Sequence, residues 1–466
     1  MTLNSEPTYQ QWRATAAAKD ARNGAERWRA RDETPLYDYK VIRRRLEELR
    51  EIRASQDPNR LLFYLHEGMH GNMAGMGSPR LYRRSLIGTK ALITDYIDEL
   101  VGALEQLEAV DDADLSIAEK VTFFRRSADC FGRTALMLSG AGALGPFHVG
   151  VIKALHEQQL LPNIISGASA GSFVTAVTCC YRDEDLGKMI DAGGLNDALN
   201  GQDPNPNARV TRDSLWDAIT TLIPDMTFEE AYEETGRYAN ISVAPAALNQ
   251  RARVLNAITS PNACIREAVL ASCAIPGVFP AVTLAAKTRD GERKPYVASR
   301  KWIDGSVTHD QPSRRLMRLY GVNHFISSQT NPVVLWAMQN PDAESISSQL
   351  TQVMQAGVRD WSRIVYPFAI QAVGQLYPLN IMTRMWFGLL TQDYTADINI
   401  QPKRRWVNPA KLLSNLSEAE TRRLIQDGEQ ATWPKIEMIR NCTAVSRTID
   451  RALGRLDQQL LSTTNT

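Results

Sequence analysis

Apolar positions in the first 132 residues recur at helical spacing and nowhere alternate with period two, so this stretch reads as helix, with long periodic segments at 37–54 and 81–107. Tyr9, Trp12 and Trp28 punctuate its otherwise polar start. Ser116 and Glu119 have the spacing of a capping box and predict a helix through Phe124. The pattern changes at Thr134. A short apolar run meets a glycine-rich loop, a helical stretch from Phe147 to Gln158 follows, and a second short run at 163–166 ends in another tight turn. That order, strand-loop-helix-strand-turn-helix, predicts an α/β fold with a mainly parallel sheet covered by helices.

Further strands are predicted at 239–243, 281–285, 296–303, 324–328 and 397–400, with an Asp290-Gly291 hairpin signal between the second and third of these. Ser417 with Glu420 caps one tail helix, and an apolar stripe at 433–460 supplies another. The expected organisation is a helical region at 1–132, an α/β unit at 133–405 and a helical region at 406–466.

Of 466 residues, 44% are hydrophobic and 23% charged, which excludes a disordered, collagenous or polytopic membrane chain. Lysine plus arginine (53) nearly cancels aspartate plus glutamate (52), so no global field gathers nucleic acid. Any charged partner must be met locally. Cys130, Cys179, Cys180, Cys264, Cys273 and Cys442 lack the spacing of a zinc or redox site and read as reduced core thiols. The first thirty residues contain no apolar core of a leader, so neither signal peptide nor amino-terminal anchor is expected, and the cytoplasm is the default location.

Gly167-Ala168-Ser169-Ala170-Gly171 is a G-x-S-x-G pentapeptide between a predicted strand and an apolar helix, the setting of a nucleophile elbow. Upstream, residues 139–145 form a glycine-rich loop at a helix start, where backbone N–H groups can turn toward an anion. Gly140, Gly142 and Gly145 also spell a dinucleotide fingerprint, but the second strand ends in the elbow and offers no acidic residue for a ribose. The loop therefore reads as an oxyanion hole built from Gly140, Ala141, Gly142, Ala143 and Gly145.

These blocks, followed by Asp304-Gly305-Ser306 and preceded by the stretch 271–280, resemble the patatin-like phospholipases. The matching segment covers residues 134–329. Leu144 stands where the family commonly carries a basic residue, and Ala141 replaces the second glycine. That non-basic loop, the helical amino-terminal extension and residues 392–400 look like the triacylglycerol lipase branch, the fungal lipid-droplet lipases and their bacterial relatives. The resemblance implies a three-layer patatin-like core acting as a serine acyl hydrolase on lipid carboxylic esters at a membrane or lipid-droplet surface. It assigns Ser169 as nucleophile, Asp304 as general base, Gly167 and Gly171 as the elbow, and no metal or organic cofactor. Transfer of the acyl group to an alcohol or lysolipid instead of water is a compatible side activity.

Other readings stay open at this level. His309 and His324 follow Asp304 in the order of a Ser-Asp-His hydrolase. An idle dyad would leave a lipid-binding or scaffold protein. His66-Glu67-Gly68-Met69-His70 spells a zinc-protease motif, although Gly68 and Gly71 weaken a helix there. The uncharged segment 364–383, with Trp361, Tyr366, Tyr377 and Trp386 in or near it, reads as interfacial or as a core helix; its glutamines and prolines disfavour a membrane span. The clusters Arg43-Arg44-Arg45 and Lys403-Arg404-Arg405 read as solvated surface.

Overall fold

The computed structural model describes residues 7–189, 192–200, 205, 208–247, 250–306, 310–331, 396–403 and 411–464. The segment 364–383, His309, and Arg404 with Arg405 lie outside these residues. The chain divides into two compact units, one of residues 1–134, 320–324 and 433–466, the other of residues 135–319 and 325–432. The tail is thus shared, its last helix in the first unit and the preceding one in the second.

The first unit is helical. In the helix Tyr39–Ser55, Ile42, Leu46, Leu49 and Ile52 fall on one stripe and are buried, while Arg43, Arg44, Glu47, Glu48, Arg50 and Glu51 are exposed. That stripe packs with residues of Ala91–Glu108, and Val445, Ile449, Ala452 and Leu456 of the helix Ile436–Thr464 join the same core as Phe123 and Phe124. Both bonds of the Ser116–Glu119 capping box form, and that helix continues to Phe131. The periodic segment 81–107 is not one helix. Buried Asp20 accepts the Ser85 hydroxyl and the Leu86 and Ile87 amides, diverting those amides from a helical ladder until Ala91.

The second unit is built on a seven-stranded sheet, of which two strands begin in the first unit. Its strands are β1 (Arg133–Leu138), β2 (Ile164–Gly167), β3 (Tyr238–Pro245), β4 (Arg253–Leu255), β7 (Trp302–Asp304), β8 (Val322–Ser328) and β9 (Ile398–Ile400). Their order is β4-β3-β2-β1-β8-β9, with β7 also pairing β3. β1 with β2, β2 with β3, and β8 with β9 run parallel; β4 and β7 are antiparallel to β3. A separate hairpin, β5 (Ala285–Lys287) with β6 (Arg293–Pro295), turns at Gly291. Of the strand expected at 296–303 only Trp302 and Ile303 lie in one, β7; residues 296–301 are turn and irregular chain, and β4, three residues long, gave too little alternation to be seen.

Helices Gly145–Glu157 and Glu418–Thr432 pack face to face through glycines, because a Cβ at Gly150 would collide with the Ile425 carbonyl and one at Gly428 with the Phe147 carbonyl. Gly150→Ala forces these backbones apart, and thermal unfolding followed by circular dichroism is expected to show a loss on the order of 1–3 kcal/mol. Of the six cysteines, Cys179, Cys180, Cys264 and Cys273 are buried, whereas Cys130 is exposed and Cys442 half-buried, a correction to the expectation of six core thiols.

Candidate active site

Ser169 stands between β2 and the helix Ala170–Cys180 with φ 52° and ψ −127°. A non-glycine residue held there costs about 1–3 kcal/mol and persists only where its surroundings enforce it. Here a Cβ at Gly167 would collide with the Gly171 carbonyl, and one at Gly171 with the Leu138 and Ser139 carbonyls, which accounts for both glycines of the pentapeptide. Polar ties hold the turn as well. The Ser169 N–H donates to Ser272 Oγ at 3.0 Å, Ser272 Oγ donates to the Ser242 carbonyl at 2.7 Å, and Ser172 Oγ donates to the Ser169 carbonyl at 2.6 Å.

Sheet register brings Asp304 to this serine. Gly167, the last residue of β2, pairs with Ile241 of β3, and Asp304 pairs with Val243, two residues further along the same strand. β7 therefore takes up the edge that β2 vacates, roughly 6–7 Å beyond the elbow. The Asp304 carboxylate, 2% exposed, accepts the Ser306 N–H at 2.8 Å, and the Ser169 side chain is close enough to draw its pKa down. Burial pushes that pKa up to about 6, against the pull of Ser306 and Ser169. Gly305 is required beside it, since any Cβ would run into the Ser242 carbonyl. Buried Cys273 is a further neighbour of Ser169, and burial raises its thiol pKa, so it remains neutral.

The glycine-rich loop is fixed through one peptide unit. The Ser139 carbonyl accepts from His148 Nε2 at 3.0 Å, and the Gly140 N–H donates to Asp310 Oδ1 at 2.6 Å. A carbonyl only accepts, so the His148 proton is on Nε2, and Nδ1 accepts from Ser328 Oγ at 2.7 Å. Full burial holds His148 down to about 4 and lifts Asp310 to about 7, the Asp304 charge adding to the latter. Sequence gave no sign of either residue: both lie away from the motifs and act through backbone atoms.

Gly142, Ala143, Ser169 and Ala170 share one cavity of about 140 Å³, otherwise walled largely by apolar groups such as Phe173, Leu195, Leu215, Ile275 and Phe279. Gly142 has φ 52°. Among the described residues the Gly142 and Ala170 amides have no hydrogen-bond acceptor, as first-turn amides of helices often lack one. The Ala143 amide donates to the Leu412 carbonyl at 2.8 Å, on a strap of residues 411–416. A protein carbonyl oxygen thus lies against an amide assigned in sequence to the oxyanion hole.

The remaining sequence candidates fall elsewhere. His324 Nδ1 is 3.1 Å from Thr134 Oγ1, at the opening residues of β8 and β1, whereas the glycine-rich loop follows the far end of β1. The helix Pro58–Gly68 stops before His70, and His66 packs edge-on against Phe123, so the two histidines do not share a helix face. Arg43 pairs with Asp32 and Arg44 with Glu48.

Comparison with known proteins agrees with this architecture. The patatin-like phospholipase family model matches residues 136–314, and a domain of unknown function, DUF3336, matches residues 1–129. Triacylglycerol lipase ptl3 of Schizosaccharomyces pombe is 32% identical across 96% of this chain and 95% of its own length. The chain belongs to the patatin-like phospholipase family. Triacylglycerol lipase 4 of Saccharomyces cerevisiae is 32% identical over 98% of this chain, and triacylglycerol lipase SDP1L of Arabidopsis thaliana 29% identical over 97%. The chain spans only 53% and 57% of those two patatin-like relatives.

Proposed function

We propose that the protein is a serine acyl hydrolase that cleaves lipid carboxylic esters, triacylglycerols foremost, through an acyl-enzyme on Ser169. The observation that carries this reading is the placing of a strained, elbow-mounted serine beside a buried carboxylate whose pKa lies near 6, at the wall of an apolar cavity. A carboxylate of that pKa is ionised at neutral pH yet basic enough to take a hydroxyl proton.

In the first step Ser169 Oγ bonds to the ester carbonyl carbon while its proton passes to Asp304. The carbonyl oxygen becomes an oxyanion facing the amides of the glycine-rich loop, with Gly142 and Ala170 as the open donors and Ala143 joining once Leu412 withdraws. The carbon–oxygen bond to the alcohol then breaks, and the leaving oxygen takes the proton from Asp304. Water repeats the sequence on the acyl-enzyme: Asp304 accepts its proton, hydroxide adds to the carbonyl, and Ser169 departs with that proton as the fatty acid leaves. His148 takes no part, being neutral and bound on both nitrogens.

The names of the fungal and plant relatives support triacylglycerol as substrate, and such a substrate implies work at a droplet or membrane surface. Among the described residues no helix is long and apolar enough to cross a membrane, so attachment there is peripheral in this reading. A fluorophosphonate probe followed by peptide mapping tests the assignment. Labelling confined to Ser169, lost in Ser169→Ala and strongly reduced in Asp304→Asn, is the expected outcome. Labelling of the folded Ser169→Ala variant at the wild-type level would sink it.

A further inference from the structure

A second cavity, of about 400 Å³, shares no wall residue with the Ser169 pocket and is lined by four arginines, Arg251, Arg253, Arg300 and Arg315, with Thr259 and Ser260. Among the described residues no aspartate or glutamate lines it. In a chain whose charges nearly cancel, four arginines lining one cavity with no acidic residue among its described wall residues is an arrangement that an anion completes.

Two of these arginines are held in place. Arg315, on the helix Ser313–Tyr320, donates from Nη2 to the Ala252 carbonyl at 2.6 Å, and the Arg253 guanidinium lies 5.7 Å from the Trp302 ring centroid. Ser260 is buried and accepts from the Tyr296 hydroxyl at 3.2 Å, so its own proton is available to a ligand. Burial lowers the pKa of Arg315, and the like charges of Arg253, Arg251 and Arg318 lower it further. Position adds to this. Val243 pairs with Asp304 on one side and Arg253 on the other, so the cavity opens at the same end of the sheet as the catalytic pair, roughly 10 Å across one strand. Ile258 and Met317 are half exposed, one adjoining Thr259 in sequence and the other on the helix of Arg315.

The geometry points to a phosphate site: the cavity ringed by Arg251, Arg253, Arg300 and Arg315 binds the phosphate of a phosphate ester, carried either by an anionic lipid headgroup or by a soluble metabolite. Guanidinium forks match phosphate oxygens bidentately, which a lysine ammonium cannot do. In the lipid case, Ile258 and Met317 enter the interface beside the bound headgroup and the catalytic edge of the sheet faces the surface. The site is independent of the chemistry assigned to Ser169.

Two binding measurements on the full chain test it. One is flotation with phosphatidylcholine vesicles, with and without about 20 mol% phosphatidic acid. The other is calorimetric titration with inorganic phosphate and glycerol 3-phosphate. Each is run on wild type, on Arg253→Lys with Arg300→Lys, which keeps the charge, and on Arg251→Glu with Arg300→Glu; thermal unfolding checks that the variants fold. The lysine pair is expected to weaken binding about tenfold in at least one arm, because charge alone does not replace the forks. Loss confined to the vesicle arm identifies a lipid headgroup, and loss in the soluble arm a free phosphate ester. Binding unchanged by the lysine pair in both arms overturns the site, even where the glutamate pair abolishes flotation, since that pattern belongs to diffuse charge. Absence of wild-type binding in both arms overturns it equally.

Discussion

Asp304→Asn is expected to lower ester hydrolysis by roughly 10²- to 10⁴-fold, the span over which a general base contributes, while making the folded protein more stable at neutral pH. Both effects come from one buried carboxylate. Wild-type activity should rise with pH through about 6, because Asp304 accepts the Ser169 proton only when ionised. The residual activity of the asparagine variant should lack that limb. For stability the sign is opposite to that of a salt-bridged aspartate. The pKa of Asp304 is raised from 3.8 to about 6, so the folded state holds the proton more tightly than the unfolded chain, and stability falls as pH rises through that window. Above it the burden of the buried charge is complete, and its removal should be worth on the order of 1–3 kcal/mol. Asp310, raised to about 7 mainly by burial and in part by the Asp304 charge, remains in the variant and keeps part of the acid-side dependence. Rate profiles and thermal unfolding of both proteins across pH check this together. An unshifted profile in Asp304→Asn would assign the base elsewhere.

The reacting groups were legible in sequence because their chemistry is local. G-x-S-x-G must be small at Gly167 and Gly171 for carbonyls to pass, and the pentapeptide shows that constraint wherever it lies. Asp304-Gly305 is similar, the glycine being enforced by the Ser242 carbonyl. The periodicity of 39–55 and the two capping boxes likewise record neighbours three or four residues apart. What sequence did not disclose depends on partners brought together by the fold. Asp310 and His148 act on opposite atoms of the peptide joining Ser139 to Gly140, from positions with no motif. Ser272 lay inside a recognised stretch, yet its bridge from the Ser169 amide to Ser242 arises only when the helix Ile265–Ser272 packs beside β3. The arginines of the second cavity are spread from 251 to 315 and gather only through the pairing of β3 with β4 and β7. The loop at 83–90 was read through as helix for the same reason, since Asp20, more than sixty residues away, ends the ladder.

A jump in activity of about 100-fold on passing from dispersed monomers of an ester to the same ester in an aggregated phase is the second large effect expected, and the strap at 411–416 is its physical basis. A cavity of about 140 Å³ is below the roughly 300–1,000 Å³ of sites that enclose a drug-sized ligand, so no triacylglycerol enters without movement of a wall. Leu412 and Leu413 are part of that wall, and the Leu412 carbonyl holds the Ala143 amide that an oxyanion would use. Withdrawal of the strap would therefore enlarge the pocket and free the donor in one motion. Among the described residues the backbone bonds that oppose it are the Ala143–Leu412 bond, Val210 N–H to the Leu413 carbonyl at 2.9 Å, and Asn415 N–H to the Ala208 carbonyl at 2.9 Å, and the Asn200 side-chain amide adds a bond to the Leu416 carbonyl at 2.7 Å. At about 1 kcal/mol net for each, the three backbone bonds alone favour the closed form by about 3 kcal/mol, or roughly 100-fold in population. An apolar phase offsets that cost by receiving the leucines. Asn415→Pro removes the last of the three donors without touching Ser169 or Asp304, and is expected to raise hydrolysis of the dispersed ester about fivefold while leaving the rate on the aggregated phase near wild type. Equal stimulation by the interface in both proteins, with no rise on dispersed ester in a folded Asn415→Pro, would mean that the strap does not gate the pocket.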